Sequence, residues 1–339
     1  MDESKFKRLF IVANPTHLVN IKNYINKYPN GKNYVILTIT YFEGYEEFIK
    51  NARNERCLKI IMIFFIDQSK KGIGLYYDIF KKLHKTKTIK KDHKFFNEIC
   101  FTNYNSWLQN YLVNQFRSKK LILISDGTAI FSIVDLRRNN RKIPFAGNKI
   151  FINMVLKLKP IKNLHYYSQV NIDVADYDSL EVFNFKASKS TNINPKKIYF
   201  VGSPLVELEY IKPENNLKYL QSLRENFKDY EIVYYAHRRE GGKILKEYGF
   251  FDRVLLDSIP FEERLENELE LPGMVISYLS SILINLPQVY QNINFYYIPL
   301  SEGDIPENSQ FQSRYCKLQH NFERIRSDNF KKLNLDINN

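Results

Sequence analysis

Residues 231–245 read EIVYYAHRREGGKIL: an apolar, aromatic run stops at His237-Arg238-Arg239-Glu240, turns through Gly241-Gly242 and continues in a helical pattern. An imidazole donates a hydrogen bond or a proton to a departing phosphate, and guanidiniums hold anionic oxygens in bidentate fashion. The alternative is a surface turn in which Arg238, Arg239 and Glu240 pair with one another. Three more clusters have the same character. In LILISDGTAIF a strand ends at Ser125-Asp126-Gly127 and a helix begins near Thr128. Asp126 there either accepts a proton from a bound hydroxyl or caps the helix. In VISYLSSILINLP, Ser280-Ser281 open an apolar helix, where hydroxyls and free backbone N–H groups make an anion site or an ordinary N-cap. In IYFVGSPLVE, Gly202-Ser203-Pro204 follow a strand and let the backbone approach a ligand, or form a plain turn. Neither the GxGxxG nor the Walker spacing is present.

The elements that must position these residues are short apolar runs alternating with helix-period segments. Strands are expected near 8–13, 33–40, 58–66, 120–125, 198–202, 231–236, 252–256 and 293–298. Between them, Tyr104, Trp107, Leu108, Tyr111, Leu112 and Phe116 share one helical face. Fully apolar strands joined by helices imply parallel sheets covered on both faces, and ligands bind in such sheets beyond the carboxyl ends of the strands. The expected architecture is α/β, with two Rossmann-like domains facing a central cleft. Their expected bounds are 1–160 and 161–315, followed by a tail or helix over 316–339. The hinge is placed near the start of the mixed, polar span 158–197.

The 339 residues carry 50 Lys+Arg against 37 Asp+Glu, a net charge of +13 that calls for an anionic partner. With 44% hydrophobic residues, including 25 Phe and 24 Tyr, the chain is too apolar for disorder. Cys57, Cys100 and Cys316 lie far apart without CxxC spacing, which points away from a disulfide framework or a zinc site and toward a reducing cytoplasm. The longest apolar run, IIMIFFI at 60–66, is about a third of the ~20 residues that a membrane span needs. The basic run KKLHKTKTIKKDHK at 81–94 reads as a solvated loop or as a patch for anionic lipid head groups.

Taken in order, an acidic motif, a strand-end His, the acidic segment IPFEERL and a Ser-Ser motif resemble bacterial sialyltransferases of the two-Rossmann GT-B type. Those enzymes carry D/E-D/E-G, HP and Ser-Ser or Ser-Thr motifs in that order. The likeness is nearest to lipooligosaccharide, capsule and O-antigen sialyltransferases. Here the acidic motif is Ser125-Asp126-Gly127, with one carboxylate, and His237 is followed by Arg238 instead of proline. The resemblance implies inverting transfer of sialic acid from CMP-sialic acid to a terminal galactose-type acceptor, lipid-linked or on the cell surface. It implies Asp126 as base, His237 with Ser280 and Ser281 on the leaving phosphate, and Glu262 on the cytidine ribose. Gly202, Ser203, Pro204 and Arg238 fall on the nucleotide-donor side, while His17, Gly127 and Thr128 fall on the acceptor side. No metal or other cofactor is expected. The expected location is the cytoplasmic, anionic face of the inner membrane, and a homodimer stays open. The other readings are a GT-B transferase using CMP-Kdo or a UDP-hexose, and a basic nucleic-acid-binding protein. No RRM, KH or zinc-finger signature supports the last.

Overall fold

The computed structural model describes residues 6–40, 44–66, 73–124, 129–139, 158–169, 171–183, 192–256, 259–278, 280–306, 310–323 and 327–335. The chain divides into two compact units, Met1–Phe183 and Asn184–Asn339.

In the first unit, strands β1 (Lys7–Val12), β2 (Lys32–Thr40), β3 (Lys59–Ile66), β4 (Phe95–Phe101), β5 (Arg117–Ile124), β6 (His165–Ser168) and β7 (Ser179–Val182) form one sheet. Their spatial order is β3-β2-β1-β4-β5-β6-β7, and every pairing is parallel. Helices α1 (Pro15–Lys27), α2 (Tyr45–Asn54), α3 (Ile73–Asp92), α4 (Trp107–Gln115) and α5 (Ala129–Arg138) connect the strands. One face of the sheet packs Leu9, Ile11, Ile36 and Phe101 against Leu108 and Leu112, and the other packs Phe10, Val35 and Ile122 against Ile21 and Tyr24. Both faces are therefore apolar, which is why these strands lack alternation. Starts are set locally. Asn14 caps α1 ahead of Pro15, its Oδ1 accepting the His17 N–H at 2.9 Å. Ser106 caps α4 by accepting the Gln109 N–H at 3.3 Å. The expected helical face is present, with Tyr104 two residues before that cap and still in the core.

Strand β4 has no counterpart among the expected strands because Asn97 and Glu98 interrupt its apolar run. In the fold Glu98 accepts from Arg8 Nε at 2.8 Å and from the Tyr24 hydroxyl at 3.1 Å, so the carboxylate is paired at the sheet.

The first unit also runs past the expected boundary at 160. His165 pairs with Ile122, and β7 extends the sheet by one more strand. Arg137 on α5 locks this extension with Nε and Nη2 each 2.6 Å from the Asp178 carboxylate, both side chains being 0% exposed. Its Nη1 donates to the Tyr104 hydroxyl and the Ile161 carbonyl, both at 3.0 Å. A buried ion pair holds only when such extra hydrogen bonds satisfy it.

In the second unit, β8 (Ile193–Val201), β9 (Glu231–Tyr235), β10 (Arg253–Leu255), β11 (Leu271–Ser277), β12 (Asn294–Tyr297) and β13 (Phe330–Lys332) form a second parallel sheet, ordered β10-β9-β8-β11-β12-β13. Helices α6 (Pro213–Asn226), α7 (Gly242–Leu245), α8 (Phe261–Asn267), α9 (Ile282–Asn285) and α10 (Gln310–Glu323) accompany it. The residues expected as a tail thus include the end of α10 and the edge strand β13, which is paired to β12. Strand β11 begins Leu271-Pro272-Gly273, a turn signal in sequence. A Cβ at Gly273 would lie 2.8 Å from the Pro195 backbone, so glycine permits the approach of β8 and the register shifts there.

Candidate active site

Each sheet steps outward from its first strand and then jumps to the other side, so its crevice opens at the carboxyl ends of the two strands flanking the switch. In the second unit these are β8 and β11. Gly202-Ser203-Pro204 follow β8 directly, Ser280-Ser281 follow β11 closely, and His237 ends β9 beside β8.

The His237 turn is built from within. Its carbonyl accepts the Glu240 N–H at 2.8 Å, and its Nδ1 accepts the Arg239 N–H at 3.1 Å. Because a backbone N–H can only donate, Nδ1 is the unprotonated nitrogen and the ring proton of the neutral imidazole lies on Nε2. Burial, with the Arg238 and Arg239 charges beside it, pushes the imidazolium down to about 4, so His237 is neutral near pH 7.

Glu240 is a site residue that sequence reading missed. Its carboxylate is 3% exposed, accepting the Tyr234 hydroxyl at 2.6 Å on Oε1 and the His237 N–H at 2.5 Å on Oε2. This inward position takes the carboxylate out of the surface turn that was the alternative reading of the stretch. Burial pushes the carboxyl up to about 8, against the two hydrogen bonds it accepts. Gly202 has a corresponding role. A Cβ there would meet Glu240 Oε2 at 2.3 Å and the Tyr234 hydroxyl at 2.7 Å, so the space a glycine leaves is filled by Glu240. Gly202 and the His237 turn, separate clusters in sequence, are one assembly in the fold, joined also by Gly202 N–H to the Tyr235 carbonyl at 2.8 Å. Behind it, Tyr278 donates to Asn216 and Asn216 to Tyr248, both at 2.8 Å.

Ser281 occupies the N-cap position of α9 without making a side-chain cap hydrogen bond, and α9 is a single turn. Glu262 lies in the first turn of α8 and is buried. Burial holds its carboxyl above the ordinary range, its own N–H acting the other way. The helix is anchored through Phe261, whose ring lies 5.5 Å from Tyr199 and 5.3 Å from Tyr235. Arg238 is half-buried and Arg239 exposed.

In the first unit the switch lies between β1 and β4. His17, just after β1, is 1% exposed and bonded at Nδ1 to the Thr102 hydroxyl (2.8 Å) and the Ala13 N–H (3.2 Å). Gln109 supports Thr102 by accepting its N–H at 3.0 Å. Asp126, Gly127 and Thr128 lie outside the described residues, between the end of β5 at Ile124 and the start of α5 at Ala129. Among the described residues no group of three or more His, Cys, Asp or Glu is arranged to hold a metal ion.

Two Rossmann-like units with these strand orders define a GT-B fold, and solved structures agree. A glycosyltransferase from Arabidopsis thaliana, UGT89C1 complexed with UDP-L-rhamnose, is 9% identical, with 96% of this chain and 85% of that chain covered at a TM-score of 0.51. The Methanocaldococcus jannaschii UDP-GlcNAc 2-epimerase in complex with UDP-GlcNAc and UDP is 11% identical, covering 97% and 89% at 0.51. No curated protein matches the chain significantly in sequence. The profile of the alpha-2,8-polysialyltransferase (POLYST) family matches residues 8–298, and the chain belongs to that family. It is accordingly a glycosyltransferase.

Proposed function

We propose that this glycosyltransferase moves sialic acid from CMP-sialic acid, with inversion, to the terminal sugar of a surface glycan. The observation that carries this reading is the family match, which runs through both units and includes Asp126, His237, Glu262 and Ser280-Ser281. The family's description favours a sialic acid terminus and an α-2,8 linkage over the galactose-type terminus.

In this reading the acceptor oxygen attacks the anomeric carbon of the donor while the bond to the CMP phosphate breaks. The hydroxyl proton passes to Asp126, and the bond's electron pair leaves with the phosphate. His237, neutral with its proton on Nε2, donates a hydrogen bond to the departing phosphate and does not begin as an imidazolium. Glu240 holds the turn that aims it. Ser280 and Ser281 add hydroxyl donors, and Glu262 takes the ribose hydroxyls. A monophosphate leaving group develops less charge than a diphosphate, so preorganised donors serve in place of a metal ion. A lipid-linked acceptor at an anionic membrane surface fits the net charge of +13.

A UDP-sugar donor is the second reading, because the two fold neighbours above were crystallised with UDP-sugars. Thermal shift separates the two: CMP at 100 times its Kd stabilises by about 2.7 kcal/mol while UDP and oligonucleotides leave the transition unmoved. Stabilisation by UDP alone would reverse the assignment.

A further inference from the structure

Taken in spatial order, five neighbouring strands of the first sheet begin on a cation or directly after one. These are Lys59 on β3, Lys32 on β2, Lys7 on β1, Lys94 ahead of Phe95 on β4, and Arg117 on β5. At about 4.8 Å between strands, the row runs roughly 19 Å along the amino-terminal edge of the sheet. Lys7 and Lys32 are register partners, and like charges placed opposite one another weaken a sheet, so that pairing does not stabilise the fold. The basic run 81–94 is not a loop. Its helical part is the end of α3, which buries Leu83 and Thr86 and exposes Lys85, Lys87, Lys90 and Lys91. The crossover from β3 to β4 returns the chain to the amino-terminal edge, bringing Lys90 and Lys91 to the row. Lys32, Lys59, Lys94 and Arg117 are exposed, and among them the Phe95 ring is 42% exposed. Glu98 is turned onto Arg8 at 2.8 Å, which leaves Asp92 as the exposed carboxylate near the end of α3. Burial first, then the charges of Lys7 and Lys59 against Asp92, hold His93 below its ordinary range.

We propose that this edge is a docking surface for an anionic lipid bilayer, with the cations on the head groups and Phe95 at the acyl boundary. The charge row is complementary to such a surface, and a large apolar ring among cations is the combination that holds a peripheral protein at an interface. The surface lies at the opposite end of the strands from His17, in the first turn of α1, and from the carboxyl end of β5 at Ile124. The eight residues of β5 span about 26 Å, so docking by this edge directs those carboxyl ends away from the lipid and toward the distal end of a long glycan. That last consequence rests on the transferase reading; the docking itself does not.

The test is sedimentation of the full chain with phosphatidylcholine vesicles, with and without phosphatidylglycerol, at 0.1 M salt. The expected result is binding to the anionic vesicles alone, lowered at least about 10²-fold in the combined variant Lys59→Glu, Lys91→Glu, Lys94→Glu, Arg117→Glu. An equal charge change on the second unit, Lys212→Glu, Lys218→Glu, Lys228→Glu, Lys331→Glu, should change binding by less than about threefold. Phe95→Ala should weaken binding and leave the melting temperature within a few degrees. Equal binding to neutral and anionic vesicles, or equal loss in both combined variants, would overturn the proposal. So would capture of heparin with anionic vesicles left unbound, which would assign the row to a soluble polyanion. Both combined variants should keep their CMP thermal shift, so failure of docking and failure of the transferase reading are told apart.

Discussion

The Glu240 carboxylate accepts the backbone N–H of His237 at 2.5 Å from a position 3% exposed. The imidazole is thus oriented through its own main chain by a buried acid three residues on. Glu240→Ala removes the acceptor from two buried donors, His237 N–H and the Tyr234 hydroxyl, and should cost roughly 2–5 kcal/mol. Glu240→Gln keeps an acceptor for His237 and should cost less. The pH dependence separates them further. A carboxyl raised from 4.5 to about 8 in the fold is protonated there while its unfolded form is not, so its contribution to stability is present below about pH 4.5 and is lost as pH rises to about 8. Urea melts between pH 5 and 9 should show the native chain losing on the order of a few kcal/mol relative to Glu240→Gln. Parallel curves would contradict it.

His237 titrates in the opposite sense. Its pKa is lowered to about 4, so the acid limb of kcat/KM should fall near pH 4 instead of near the 6.5 of a free imidazole. His237→Ala should lower turnover by about 10²-fold or more with the fold intact. An acid limb at 6.5 would mean that His237 is not held low as described, and activity lost as pH rises through its pKa would mean that the working form is an imidazolium.

Asp178 is the partner that ties the 161–178 segment to α5. Asp178→Ala leaves the Arg137 guanidinium uncompensated in a site where both side chains are 0% exposed, and should cost about 3–5 kcal/mol. Chemical denaturation of the first unit's transition measures it; a change below about 1 kcal/mol would show that this segment is not held as described.

If His237 and the Ser280-Ser281 hydroxyls handle the leaving phosphate, transfer should continue in excess EDTA. Its loss, with recovery on adding Mg²⁺ or Mn²⁺, would place the leaving group on a metal ion.

The strand-and-helix alternation was legible because both faces of each sheet are covered, so strands such as β2 and β3 carry unbroken apolar runs, YVIL and IIMIFFI, without alternation. Strands β4 and β11 were not, since Glu98 is neutralised by a residue 90 positions away and Gly273 is required by the approach of Pro195. His237 and Gly202 just past strand ends, and Glu262 and Ser281 at helix starts, stand where the sequence places them. Glu240 was not legible. Beside two arginines it looks like one member of a solvated turn, and only the packing of β8 on β9 carries it inward against Gly202. The division between units was misplaced for the same reason: short β6 and β7 have little periodicity of their own and are defined by Arg137 and Asp178.

The most direct test of the central claim is to incubate the full chain with CMP-sialic acid and labelled oligosaccharides ending in sialic acid or in galactose, then read products by mass and linkage. The expected product carries one or more added sialic acid residues in α-2,8 linkage on the sialylated acceptor, and both His237→Ala and Asp126→Ala should lower its yield by about 10²-fold or more. No transfer from CMP-sialic acid to either acceptor, with turnover of CMP-Kdo or a UDP-hexose under the same conditions, would contradict it.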